Sequence, residues 1–518
     1  MKKTHYLILT VILLIASLPG FTYSEDAISL TLEECISAAL KNNLNIAIER
    51  YNPELADVSV TWAKEMFMPR LDLSYNRQST ESPSYWWLQG SDTQVSKSTD
   101  YSLTLAQKIP TGADISLSLE NYKSNTNQSF QLINPRYGTT LRFNFSQPLL
   151  RGFGPKISRK EILIARNNLE ISQNQFQTVL LDTVFRVQEA YWNLVYAVES
   201  FKVKQQSLQL GRDLLTKNRR MVELEKLAPI EILNAETVVA QREADILQAE
   251  ALIRRSEDVL RNILNMDMNA EGMDLVQKII PVDSPPEDLA REVSLKASLD
   301  FALNRRPELK ATAKTVETKE LNLSVAKNQM LPGLDLNLSY WSPGISGDRI
   351  LYLDNNPFTG IIVGTEKGSG SDALGDALKF LYSNWSVGVT LTLPLSNIFT
   401  RAEFAQARIE FDKSQVELEN TKRQILLEVR DAVREIETNA KRVDAYQVAR
   451  ELAERRLKAE EKKLTVGLTT NYFVLQFQEE LANARTLELK ALVDFNLSWA
   501  KLEKATGQSL RKHNILVE

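Results

Sequence analysis

Seven apolar residues recur at intervals of seven through one stretch: Leu180, Val187, Leu194, Phe201, Leu208, Leu215 and Val222. A second row, Val184, Tyr191 and Val198, follows four places behind the first, so both rows fall on one side of a helix. From about Ile157 to Val222 there is no proline, and the only glycine is Gly211. Such a helix is roughly 100 Å long. No globular core of ordinary size accommodates it, so its apolar seam has to meet other helices along its length.

The same stretch occurs twice. Arg166 and Arg408 open equivalent segments 242 residues apart, and the offset then pairs Val187 with Val429, Leu194 with Ile436, Leu215 with Leu457 and Val222 with Leu464. An offset of 263 pairs Ala39-Leu40 with Ala302-Leu303 and Met68-Pro69 with Leu331-Pro332. Two offsets describe one duplicated unit with an insertion or deletion between Pro69 and Arg166, and a repeat fixes the architecture. Each unit reads as helix, strands, long helix, turn and returning helix. The expected helices are about Leu32–Phe67, bent or interrupted at Pro53, then Ile157–Val222 and Ile230–Met266. Their counterparts are about Leu295–Met330, Ala402–Leu464 and Asn471–Ala505. On the first return, Ile232, Val239, Ile246, Ile253 and Leu260 repeat the seven-residue spacing.

Between the helices the period changes from seven to two. Leu71, Leu73 and Tyr75 alternate with Asp72, Ser74 and Asn76; Tyr101, Leu103 and Leu105 with Ser102 and Thr104. Ile115, Leu117 and Leu119 follow the Pro110-Thr111-Gly112 turn, and Leu141, Phe143 and Phe145 make a fourth such segment. The second unit has two, around Leu334–Tyr340 and Trp385–Leu393. Each is of a length that crosses an outer membrane at a tilt, with aromatic residues near several ends. Polar stretches Gln78–Thr99, Lys123–Gly138 and Ser342–Leu381 read as loops, the last with a short amphipathic helix at Asp372–Leu381.

Composition narrows the function. A net charge of −4 gives no basic footprint for nucleic acid. Two histidines, His5 and His513, leave no material for a His-based triad or most metal sites. Carboxylates lie among Lys and Arg on the polar faces of heptads, where they solvate helices. No phosphate loop, Gly-x-Ser-x-Gly or Cys-x-x-Cys motif is present. The expectation is therefore no enzyme and no cofactor. Residues 1–24, with Lys2, Lys3 and an apolar run from Tyr6 to Leu18, read as a signal peptide. The remaining organisation is a first repeat at 25–266, a proline-bearing linker at 267–292, a second repeat at 293–507 and a tail at 508–518. Cys35, the only cysteine, reads as a small buried helix residue.

The pattern resembles the TolC-type outer-membrane efflux proteins. The residues that carry it are Met68-Pro69-Arg70-Leu71-Asp72-Leu73 and Leu331-Pro332-Gly333-Leu334-Asp335-Leu336 entering the strands, and Pro148-Leu149 and Pro394-Leu395 leaving them. Ala228–Glu236 and Val466-Gly467-Leu468-Thr469 stand at the hairpin turns. The resemblance implies an α+β fold in which long antiparallel coiled-coil helices form a trimeric α-barrel. It also implies that each protomer adds four to six strands to a shared transmembrane β-barrel. It implies a homotrimeric duct in the outer membrane with a periplasmic helical domain, in contact with outer-membrane lipid. Its implied partners are a periplasmic adaptor protein and an inner-membrane transporter of RND or ABC type.

In that resemblance Val466, Gly467, Leu468 and Thr469 form the adaptor-docking tip, and Glu231, Phe473 and Gln476 lie at the channel entrance. The sequence departs from the family there. Phe473 and Gln476 stand where acidic residues are usual, Thr469 where an arginine is, and Leu464 where a tyrosine is; Glu231 keeps the acid of the first hairpin. Gly467 is equally a plain helix-ending glycine, and Phe473 equally a residue packed between helices with Glu231 favouring a helix N-terminus. A secreted trimeric coiled-coil adhesin or scaffold without a pore is the alternative. It accounts for the heptads but not for the duplicated strands.

Overall fold

A computed structural model describes residues 27–86, 90–266, 278–286 and 292–515. The expected signal segment and parts of the linker, 267–277 and 287–291, lie outside them. In the first repeat β1 (Ile28–Leu30) leads into α1 (Leu32–Asn42) and α2 (Leu44–Glu65). Four strands follow: β2 (Arg70–Pro83), β3 (Thr93–Lys108), β4 (Asp114–Thr126) and β5 (Ile133–Pro148). A single turn, α3 (Pro155–Ser158), precedes the long α4 (Lys160–Glu223) and its return α5 (Ile230–Leu264). After β6 (Ile279–Pro281), the second repeat runs α6 (Leu295–Arg305), α7 (Pro307–Gln329) and β7 (Gly333–Tyr352). It continues with β8 (Ile362–Glu366), α8 (Gly370–Leu378), β9 (Asn384–Thr392), α9 (Ile398–Thr465), α10 (Asn471–Thr506) and α11 (Ser509–Lys512).

Both opening helices break, and at equivalent residues. The break is not at Pro53, which lies inside the continuous α2, but ten residues earlier at Asn43. Asn43 is extended (φ −64°, ψ 125°); its Oδ1 accepts from the backbone of Asn45 and Ile46, capping α2, and its Nδ2 donates to the Ile263 carbonyl at 2.7 Å. In the second repeat the break is at Arg306, 263 residues on, likewise extended before Pro307. Buried Arg306 donates to Glu428 and to the Ala505 carbonyl. A polar side chain tied to a returning helix, or to the long helix, thus sets the break, whereas Pro53 leaves only one backbone carbonyl of an exposed helix without its donor.

The chain divides into two compact units. The first comprises residues 27–50, 176–307 and 423–515 among those described and is almost wholly helical. Its core follows the heptad seam: Val184, Val187, Tyr191 and Leu194 pack with Cys35, Ile36 and Ala39 of α1, Leu260 and Leu264 of α5, and Val493 of α10. A parallel ladder of β1 with β6 closes over this core. Tyr191 supports it from below, donating through its hydroxyl to Asp283 at 2.9 Å, while Asp283 caps α1 at Leu32 N. Burial pushes the Cys35 thiol up to about 12.

The second unit, 51–175 and 308–422, contains the sheet. Its long strands pair antiparallel in the order β2-β3-β4-β5-β7-β9, with short β8 beside the far part of β7. The register puts Leu71, Leu105, Leu117, Phe143, Tyr340 and Trp385 in one row across six strands. The neighbouring row on the opposite face is Arg70, Ala106, Ser116, Asn144, Ser339 and Ser386. There Ser339 donates to Asn144 Oδ1 at 2.8 Å, and Asn144 donates to Ser116 at 3.3 Å. One face is therefore apolar and the other carries hydrogen-bonded polar side chains. The strands run well into the expected loops at Gln78–Thr99, Lys123–Gly138 and Ser342–Leu381. The expected amphipathic helix is α8, packed on β7 and β5 where Gly344 leaves room for the Ala373 carbonyl.

Candidate functional site

The two helix hairpins turn with the same hydrogen bonds. At the end of α4, Lys226 N donates to the Met221 carbonyl and Glu225 N to that of Val222. At the end of α9, Leu468 N donates to Lys463 and Gly467 N to Leu464, the same four positions 242 residues on. Glu225 and Gly467 both adopt positive φ, 56° and 76°. This is the paired 6→1 and 5→2 pattern that ends helices with a left-handed residue, so Gly467 serves as the helix-ending glycine. Nothing lies within 4 Å of a Cβ built on Gly467, and its neighbours Val466 and Leu468 are exposed. The turn therefore also offers an open, apolar backbone loop.

A buried polar residue braces each turn. Asn218 in α4 donates from its Nδ2 to the Glu231 carbonyl at 3.2 Å. Its equivalent, Glu460 in α9, accepts from the Thr469 hydroxyl at 2.5 Å and pairs with Lys463 at 3.1 Å. The Thr469 hydroxyl, and next Lys463, hold the Glu460 carboxyl below its usual range. Thr469 is thus committed to the turn through its side chain.

Glu231 opens α5 and is half-buried, with its Oε2 enclosed by protein and lacking a hydrogen-bond partner. Phe473, in the first turn of α10, is 45% exposed and lies between Tyr472, edge-on at 5.6 Å, and Phe477, stacked at 6.4 Å. Gln476, one turn on and exposed, donates to Glu480 at 3.1 Å. The ring of buried Phe477 lies beneath the Arg456 guanidinium, 4.1 Å away.

One residue at this level carries no sequence motif. Arg242 of α5 is buried, and its guanidinium donates to the Ser207 carbonyl at 2.6 Å, Gln478 Oε1 at 3.1 Å and the Leu475 carbonyl at 3.2 Å. It joins α4, α5 and α10, and burial lowers its pKa. The available signal was Gly211: a Cβ there would stand 2.9 Å from Arg242 Nη1. Among the described residues no cluster of metal-ligating side chains occurs, and no helix is long and apolar enough to cross a membrane.

A model of the outer membrane efflux protein family matches residues 299–508. The chain is 24% identical to the alkaline protease secretion protein AprF of Pseudomonas aeruginosa over 65% of this chain and 64% of that protein. It is 24% identical to the outer membrane protein TolC of Vibrio cholerae over 70% of this chain and 75% of that one. The Campylobacter jejuni CmeC outer membrane channel superposes with a TM-score of 0.63, covering 92% of this chain and 86% of that one at 17% identity. The second half of the chain is thus similar to the outer membrane efflux proteins, and its fold is similar to that of solved outer-membrane channels. The chain spans a little less than two thirds of the length of AprF, 64%.

Proposed function

We propose that this TolC-type chain is the exit duct of a tripartite efflux or type I secretion assembly. In this reading it is a passive homotrimer that crosses the outer membrane through its strands and extends into the periplasm through its helices. The observation that carries it is the sheet: apolar on one face, polar on the other, and, among the described residues, unpaired along its edges at β2 and β9. An open edge of this kind in a membrane leaves backbone donors and acceptors unsatisfied, and closure against further copies removes them. Three copies of the six long strands close as an eighteen-stranded barrel with a polar lumen.

The repeat supplies a second support for the oligomer. Within the chain, α7 packs against α4, with Asn167 donating to Thr318 at 3.1 Å and Lys314 pairing with Glu170. The repeat equivalents of Thr318 and Asn167 are Leu55 on α2 and Ile409 on α9, and these are 64% and 67% exposed. Leu55 belongs to an exposed stripe with Tyr51, Val58 and Trp62, and Ile409 to one with Val416. Two apolar stripes at positions that are partners in the pseudo-symmetric pair fit a contact between successive copies.

At the hairpin tips the turn Val466–Thr469 is the surface offered to a periplasmic adaptor, while Glu231, Phe473 and Gln476 line the entrance. Energy and most of the substrate choice then belong to the inner-membrane RND or ABC transporter. Planar-bilayer recording of the protein purified in mild detergent tests the reading, together with light scattering. Discrete ion conductance from a trimer is the expected result; a monomer with intact strand content and no conductance overturns it.

A further inference from the structure

The apolar face of the sheet ends abruptly, and the surface beyond it is cationic. Along β2, β3 and β4, moving away from the ends joined to helices, the last apolar row on that face contains Tyr75 and Tyr101, with ring centroids 5.2 Å apart. The next row is Arg77, Thr99, Lys123 and Tyr137. Lys97 stands one step further on the same face, opposite Ser79 and Asn125. Parity leaves no choice of side: residues 73, 75 and 77 share a face, as do 97, 99 and 101.

Strand spacing sets the size of the cluster. Arg77 and Lys123 are two strands apart on one row, about 10 Å backbone to backbone. Lys97 lies diagonally from each across a single strand gap, about 7–8 Å. All three are exposed, and among the described residues no ion pair engages them. Lys123 Nζ lies 5.4 Å over the ring of its cross-strand neighbour Tyr137, an uncharged partner that positions the cation without neutralising it. The nearest acid on this face, Glu81, pairs with Val95 and so stands diagonally from Lys97 on the side away from Arg77 and Lys123, with no ion pair between them. Three cations, none of them in an ion pair among the described residues, thus form a triangle directly above a tyrosine pair, at the height where an embedded wall leaves hydrocarbon.

We propose that Arg77, Lys97 and Lys123 form an outward-facing site for the phosphorylated headgroup of an outer-leaflet glycolipid. This rests on the reading that the apolar face is the lipid-facing wall of a barrel. The triangle suits a headgroup bearing two phosphates: Arg77 presents a planar fork to one, and the two lysines present point charges to the other. The acyl chains of the same molecule then run down the apolar rows beginning at Tyr75 and Tyr101. A free phosphate finds no enclosure here, because the site is an open surface, and only a ligand also held by the apolar rows gains enough to stay.

The test uses the full-length protein in zwitterionic-lipid nanodiscs, titrated with bisphosphorylated lipid A, with the same lipid after dephosphorylation, and with inorganic phosphate. Bound lipid is counted by native mass spectrometry. The expected result is saturable binding of the bisphosphorylated lipid, at least tenfold weaker for the dephosphorylated form and for the triple variant Arg77→Gln/Lys97→Gln/Lys123→Gln, with no competition from millimolar phosphate. Equal binding of the two lipids, undiminished binding to the variant, or displacement by free phosphate overturns the site. Conductance is recorded on the same preparations. Channels that open normally while binding ignores the phosphates sink this inference alone; a wild-type protein that never conducts sinks the barrel reading beneath it.

Discussion

Arg242 donates to the side-chain oxygen of Gln478 at 3.1 Å, joining the returning helix of the first hairpin to that of the second. Two backbone carbonyls, of Ser207 and Leu475, complete its acceptors, and all are uncharged. A buried guanidinium held only by neutral acceptors depends on having every one of them. Arg242→Met removes the charge with its partners' satisfaction and costs about 2–4 kcal/mol. Gln478→Leu leaves the charge short of an acceptor and costs about 1–3 kcal/mol. Both lower the thermal transition followed by circular dichroism. An unchanged transition in Arg242→Met means that the three bonds do not hold these helices together.

The exposed stripes on α2 and α9 give a cross-linking prediction. Leu55→Cys/Ile409→Cys, made with Cys35→Ser, forms disulfide-linked dimers and trimers on mild oxidation, separable on a denaturing gel. Leu55→Cys paired with a cysteine at Glu403, almost two turns away on α9, links far less. Cross-linking that ignores this register rules out the contact inferred from Thr318 and Asn167.

Phe473 stacks on Phe477, meets Tyr472 edge-on and remains 45% exposed, which suits an apolar constriction at the entrance. Phe473→Ala raises single-channel conductance, and Glu231→Gln reduces preference for cations in reversal-potential measurements. If Phe473→Ala instead lowers thermal stability and leaves conductance as it was, the ring belongs to the helix packing and the entrance lies elsewhere.

Gly467 tests the docking tip. At φ 76° a side chain is strained, at about 1 kcal/mol, yet it meets no neighbouring atom. Gly467→Arg therefore leaves trimers assembled and conducting but weakens cross-linking to the adaptor by tenfold or more. Gly467→Ala carries nearly the same strain without the bulk and serves as the control. Equal loss in both variants points to the turn's geometry, and no loss in either removes the tip from the docking surface.

Heptad spacing from Leu180 to Val222, the offsets of 242 and 263 and the two-residue alternation between the helices were enough to establish the long helices, their returns and the six amphipathic strands. These are periodic signals, repeated over many residues, and burial of Val187, Leu194 and Leu260 follows from them directly. The ends of strands and the breaks of helices were not legible in the same way. Beyond Asn76 the alternation of apolar and polar residues fades, yet β2 continues to Pro83, because backbone pairing with β3 holds the strand once the amphipathic rows have set its register. Pro53 is the stronger local helix-breaker, but Asn43 breaks the helix because its side chain reaches Ile263, which is 220 residues away in sequence. The partners of Arg242 come from two other helices, and the charge triangle of Arg77, Lys97 and Lys123 exists only through strand register. Periodicity is a property of neighbours along the chain, so the sequence determined which elements form. Buried polar contacts and cross-strand rows join residues far apart in it, so only the tertiary structure decided where those elements end and which charges stand together.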